Sequence, residues 1–236
     1  MDASWTLVGL AAGIGAIHTL AGPDHYVPFL AMSKAARWSQ RKTLWITALC
    51  GLGHVLGSVI LGLLGLAVGW AVGSLEWFES ARGQWAGWLL LVSGLLYLVW
   101  GVRHAWRNRP HTHVHVHADG KVHAHEHVHK SEHVHVHEVA GHRVDITPWV
   151  LFTVFVFGPC EPLIPLLMVP AAMHSYWVVG LVTLIFAVCT IATMTIIVWI
   201  GYAGLDRLKW PGLTRYAPLG AGLAVTLCGV AMTLGF

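Results

Sequence analysis

Apolar residues fill six long stretches of this chain, separated by short polar segments. Each stretch approaches or exceeds the roughly 20 residues that a helix needs to cross a bilayer. Span 1 runs from about Trp5 to Met32, span 2 from Thr43 to Val72, and span 3 from Gln84 to Val102. Span 4 runs from Pro148 to Met173, span 5 from Trp177 to Ala203, and span 6 to Phe236. Trp85, Trp88, Tyr97 and Trp100 lie toward the ends of span 3, where aromatic side chains anchor at membrane interfaces. The segment Ser74 to Gly83, with Glu76, Glu79 and Arg82, reads as a polar connection. Between spans 3 and 4 the pattern changes. From His111 to His137 nearly every second residue is histidine, and a period of two belongs to a strand.

The polar segments also fix an orientation. Lys34 to Lys42, Arg103 to Arg109 and Arg207 to Arg215 all fall on one side, and the other side has Arg82 alone. Positive charge stays cytoplasmic. The expectation is a multi-pass protein of the cell inner membrane, with both termini outside and the histidine loop in the cytoplasm. Residues 1–102 form one unit of three spans, 103–147 the loop, and 148–236 a second unit of three spans. An odd number of crossings makes the two units antiparallel. The fold class expected is all-α, with six transmembrane helices in a 3+3 inverted repeat.

Composition agrees with a membrane setting. Of 236 residues, 56% are hydrophobic and 11% charged, against about 25% charged in soluble domains. The first run is too long, and too polar at its end, for a cleaved signal peptide. A net charge of +3, carried in short loops, gives no nucleic-acid footprint. Cys50, Cys160, Cys189 and Cys228 lie within the spans with no disulfide spacing. Gly9/Gly13, Gly53/Gly57 and Gly65/Gly69/Gly73 form small-residue ridges suited to close helix packing.

Two stretches interrupt the apolar pattern. The first is His18-Thr-Leu-Ala-Gly-Pro-Asp-His25, and the second is Phe157-Gly-Pro-Cys-Glu-Pro-Leu-Ile-Pro165. Gly22-Pro23-Asp24-His25 aligns over Gly158-Pro159-Cys160-Glu161 without a gap. Proline removes a backbone donor and breaks a helix. Broken helices at membrane depth occur only where protein or a cavity surrounds them. Helices 1 and 4 are therefore expected to break, and repeat transporters hold their substrate at such breaks. An acid at the bilayer centre costs roughly 2.5–3.5 kcal/mol, so Asp24 and Glu161 point to an ion site. They are the only acids that this reading puts inside the hydrocarbon. Imidazole, carboxylate and thiolate together suit divalent first-row metals. The candidate metal ligands are His18, Asp24, His25, Cys160 and Glu161, with His54 on span 2. His54 fits either a ligand or an interhelical hydrogen bond. Cys50, one turn earlier, reads as packing, and Thr190, Thr193 and Thr195 as weaker candidates for lining a path.

The first stretch also resembles the signature His-x-x-x-x-Asp-His of the nickel/cobalt transporter family. His18, Asp24 and His25 match it, with five intervening residues instead of four. The two Gly-Pro units are similar to the urease-accessory-type branch of that family, which includes nickel/cobalt efflux proteins. The resemblance implies metal selection and transport by His18, Asp24 and His25, with Ni²⁺ or Co²⁺ as the transported substrate. Import and export both remain open, and so does the oligomeric state. With no nucleotide-binding motif, a proton or metal gradient is the expected driving force. The chain reads as a carrier and not as an enzyme.

In the loop, Ala118-Asp119-Gly120 fits a three-residue hairpin turn with glycine in the left-handed position. That turn pairs His115 with His123, His113 with His125 and His111 with His127. A second turn at Lys130-Ser131-Glu132 pairs His129 with His133. The alternative is a His-rich tract without regular structure. With His117, His135 and His137, either form offers Zn²⁺, Cu²⁺, Ni²⁺ or Co²⁺ many imidazoles. Expected partners are the metal cation, membrane lipid and a cytosolic metallochaperone. Two other functions fit parts of the pattern. One is a membrane thiol-disulfide electron carrier built on Cys160, with Cys50 or Cys189 supplying the partner. The other is a metal sensor or store built on the loop.

Overall fold

The computed structural model describes residues 3–107, 111–116, 122–127, 147–207 and 213–235. His117, His129, His133, His135, His137 and both proposed loop turns lie outside the described residues. Helix α1 spans Ala3–Ala21 and ends in a tight turn, Pro23–His25, followed by α2 at Val27–Ala35. Then come α3 at Gln40–Val68 and α4 at Val72–Arg107. The second half has α5 at Thr147–Phe157, α6 at Leu163–Ala172, α7 at Tyr176–Arg207 and α8 at Leu213–Leu234. Between the halves, β1 at His111–Val116 and β2 at Val122–His127 pair antiparallel. Their register sets His111 opposite His127, His113 opposite His125 and His115 opposite His123.

Among the described residues, five helices are long and apolar enough to cross a membrane: α1, α3, α4, α7 and α8. The apolar helices α5 and α6 are shorter. Ile17, Leu20, Leu64, Leu96 and Trp177 are exposed, as lipid-facing side chains are. This is the build of a multi-pass helical membrane protein.

Both Gly-Pro units interrupt helices at equivalent points. α1 ends at Ala21 and α5 at Phe157, each directly before the Gly-Pro. The short helices that follow end alike. Arg37 (φ 53°) and His174 (φ 56°) are the two non-glycine residues with positive φ among the described residues. After each, a backbone N–H reaches back to close the helix, from Trp38 to the Ser33 carbonyl at 2.8 Å and from Ser175 to the Pro170 carbonyl at 3.0 Å. This left-handed closure satisfies carbonyls that a helix end leaves open.

The halves interlock. α1 packs on α7, α5 on α3, α2 on α8, and α4 runs along α8. The α4–α8 seam is built on glycines seven residues apart. A Cβ at Gly94 would lie 2.5 Å from the Thr226 nitrogen, and one at Gly101 would lie 2.6 Å from that of Leu219. From the other side, Gly222 and Gly229 meet the Leu98 and Leu91 backbone. Of the ridges expected from sequence, Gly53 and Gly57 receive α5 at Phe152 and Val156, and Gly65 faces Leu75. Gly9, Gly13, Gly69 and Gly73 face open space instead. A small-residue spacing is used only where a partner helix lies against it.

A larger correction concerns Ser74 to Gly83. It is not a connection but the first third of α4, which is continuous from Val72. Leu75, Glu79, Gly83, Ala86 and Leu90 form one buried face at helical spacing. Glu79 is 0% exposed, so it is enclosed in the bundle. The hydrophobic run is interrupted there, but the helical face is not.

Candidate metal centre

The last turn of α1 carries His18, and the Gly22 N–H donates to the His18 carbonyl at 3.1 Å. Pro23 then turns the chain, so that His25 comes back over Gly22. The His25 N–H donates to the Gly22 carbonyl at 3.1 Å. Its ring Nδ1 lies 3.1 Å from the same carbonyl and 3.3 Å from Asp24 Oδ1. Two acceptors around Nδ1 assign the ring proton to that nitrogen. The Nε2 lone pair is left free, and Nε2 is buried without a hydrogen-bond partner. A carboxylate or carbonyl behind a histidine in this way is the usual support of a metal-binding imidazole.

His54 enters from α3 and is 2% exposed. Neither of its ring nitrogens has a partner, and neither does His18 Nε2. The three rings stand together. Centroids are 4.8 Å apart for His18 and His25, 5.1 Å for His25 and His54, and 6.2 Å for His18 and His54. A buried polar atom left unpaired costs about 1–3 kcal/mol. Four such nitrogens in one place are expensive unless something fills them.

The second break supplies sulfur. Cys160 is 0% exposed. One ligand atom each from His18, His54 and Cys160 lie within 4.8 Å of one another. Bonds of about 2.0–2.3 Å in a tetrahedral site require donors roughly 3.3–3.8 Å apart. The widest separation must therefore shrink by roughly one ångström for ligation. Asp24, His25, His54, Phe155 and Gly158 line an adjoining cavity of about 10 Å³. That is about the space of one water-sized sphere. A bare ion fits there, and a hydrated one does not. A larger cavity of about 530 Å³ borders His18, Asp24, His25 and Glu161 and extends to Gly235 at the end of α8.

The glycine of each Gly-Pro is needed for its side-chain neighbour. A Cβ at Gly22 would meet His25 Nδ1 at 2.5 Å, and one at Gly158 would meet His54 Nδ1 at 3.1 Å. Phe155, in tilted contact with Phe29 at 4.7 Å, closes the centre from the side of α2.

His18, His54 and Cys160 thus come together, with His25 beside them and Asp24 behind His25. Glu161 stands apart: it is exposed, on the wall of the larger cavity. Thr190 is buried with an unpaired hydroxyl, whereas Thr195 donates to the Ile191 carbonyl at 2.7 Å. Cys50 sits in the apolar core with Phe29, Met194 and Val198. All four cysteines are free thiols.

Glu79 and Arg82 escaped the sequence reading. Arg82 Nη2 lies 2.9 Å from Glu79 Oε2 and donates to the Gly158 carbonyl at 3.0 Å and to Ser58 Oγ. The Cys160 N–H donates to Glu79 Oε2 at 3.2 Å. Their signal was opposite charges at i,i+3, one helical turn apart on a single face.

No family model, no curated protein and no solved structure matches this chain. The centre therefore rests on its own chemistry. Imidazole and thiol donors suit borderline metals better than Mg²⁺ or Ca²⁺, which prefer oxygen.

Proposed function

We propose that this protein carries a divalent transition-metal cation across the membrane, with Ni²⁺ or Co²⁺ as the first substrates to test. The observation that carries this reading is the set of unpartnered ring nitrogens of His18, His25 and His54, buried beside Cys160 between two broken helices. A structural role for these histidines would give each nitrogen a partner. Repeat transporters keep irregular backbone and ion ligands at the interface of their halves.

The six-span inverted repeat belongs to the same proposal. In it, α1 with α2 makes one span and α5 with α6 another. The matching breaks and the matching closures at Arg37 and His174 support it. So does the reciprocal packing of α1 on α7 and α5 on α3. In this arrangement the basic segments lie in the cytoplasm and both termini outside. The cation passes between the cavity walled by Glu161 and the imidazoles and Cys160 sulfur, exchanging its water near Asp24, in a direction that the site itself leaves open. The histidine hairpin captures or buffers metal, Zn²⁺ and Cu²⁺ included, on the cytoplasmic side.

The test is flux into proteoliposomes, comparing Ni²⁺, Co²⁺, Zn²⁺ and Mn²⁺. His54→Ala and Asp24→Asn should each reduce Ni²⁺ or Co²⁺ flux at least tenfold, since loss of a supporting group alone costs about 10–100-fold in affinity. Undiminished flux in both variants would remove the proposed site. A thiol-disulfide carrier predicts instead that Cys160→Ser abolishes all activity, with electron transfer and no metal movement in the native chain.

A further inference from the structure

Glu79 and Arg82 have no place among the metal ligands, yet both are enclosed at the second break. Residues 158–162 leave the helix between α5 and α6, which exposes backbone groups inside the bundle. Such groups must be satisfied by protein where no water reaches them. The first break does this locally: the His25 N–H and ring Nδ1 both turn to the Gly22 carbonyl. Its neighbour α8 contains no acidic residue. The second break instead borrows two side chains from α4. Arg82 holds the Gly158 carbonyl, Glu79 holds the Cys160 N–H, and the two hold each other. Ser58 of α3 takes a further Arg82 contact, and Gly57 leaves room for the guanidinium. Two anchor points flanking Pro159 fix the backbone at Cys160.

We infer that Glu79 and Arg82 are positioning residues that present the Cys160 sulfur to the cation, so that the site is completed by a thiophilic ligand. This rests on the metal-carrier reading above. A pair suits the task better than either charge alone. Arg82 by itself would repel a divalent cation, and Glu79 by itself would be an uncompensated buried charge. Together they grip the backbone at both points and stay neutral overall. Glu79 acts through the Cys160 amide and not on the metal.

Cobalt reports the sulfur directly. The full chain in detergent, loaded with Co²⁺, should show ligand-field bands and a sulfur-to-cobalt charge-transfer band, with the latter absent from Cys160→Ser. Glu79→Gln, Arg82→Lys and the paired Glu79→Gln/Arg82→Met should each lose most of the charge-transfer band. Each should also lose about tenfold in Co²⁺ affinity while keeping the ligand-field bands. The paired variant leaves no lone charge and guards against misfolding of the single ones. In a Cys160→Ser background, Glu79→Gln should have no further effect on Co²⁺ affinity, because its route to the metal is gone. An unchanged charge-transfer band in all three variants overturns the inference. So does an equal affinity loss in both backgrounds, which would mean general structural damage. Co²⁺ bound with ligand-field bands but no sulfur band in the native chain overturns it too, and leaves the histidine site standing. No Co²⁺ binding by the native chain sinks the carrier reading itself.

Discussion

At Gly22 the chain has room for a hydrogen and little else, because a Cβ would come within 2.5 Å of His25 Nδ1 and 2.8 Å of Asp24 Oδ1. Gly22→Ala should therefore push the His25 ring off its two acceptors. The expected result is a loss of about tenfold or more in Co²⁺ affinity, read by titration, with helix content unchanged by circular dichroism. The candidate ligands were legible in the sequence. Histidine, cysteine and acid inside apolar runs are costly enough to announce themselves. Their division of labour was not. Asp24 and Glu161 looked alike as membrane acids, but Asp24 backs an imidazole while Glu161 lies exposed on a cavity wall. Glu79 looked like a loop residue and is fully enclosed.

Helix packing follows the glycines that meet a backbone, not every glycine at helical spacing. Gly94 faces Thr226 across the α4–α8 seam, whereas Gly13 faces open space. Gly94→Ala should overpack the seam and cost about 1–3 kcal/mol. Thermal unfolding in detergent would read this as a lower midpoint. Gly13→Ala should leave the midpoint unchanged or raise it, since alanine favours a helix by about 1 kcal/mol over glycine. The apolar runs marked out the helices, and Gly-Pro marked where two of them break. The true reach of α4 was hidden because its buried polar pair interrupts the run without ending the helix. Continuity came from the face formed by Leu75, Gly83, Ala86 and Leu90.

Across the molecule, the two halves are joined at their basic end. Lys34 of α2 pairs with Asp206 of α7 at 2.5 Å and lies over the Tyr202 ring, and the Tyr202 hydroxyl donates to the Trp38 carbonyl at 2.9 Å. The larger cavity extends the other way, to Gly235. Asp206 is 63% exposed, and an ion pair of that kind is worth at most about 1 kcal/mol. Asp206→Asn should thus raise labelling of cysteines introduced near Ser33 by a few-fold at most. The swap Lys34→Asp/Asp206→Lys should restore the native level. Deleting residues 111–137 should leave metal flux in proteoliposomes measurable, because the proposed crossing site lies between the helices and contains no residue of the loop. Complete loss of flux would transfer the essential chemistry to the loop.

Local sequence determined what nearest neighbours can decide: which segments are helical, where proline and glycine interrupt them, and which donor types lie at the interruptions. Hydropathy and turn chemistry act over a few residues, so they can be read in one dimension. Only the tertiary structure decided that His18, His54 and Cys160 share one centre, and that a charged pair from α4 holds the backbone beside Cys160. Those meetings join positions far apart in the chain. They follow from how whole helices pack, with glycines setting how closely backbones approach, and no local pattern specifies that.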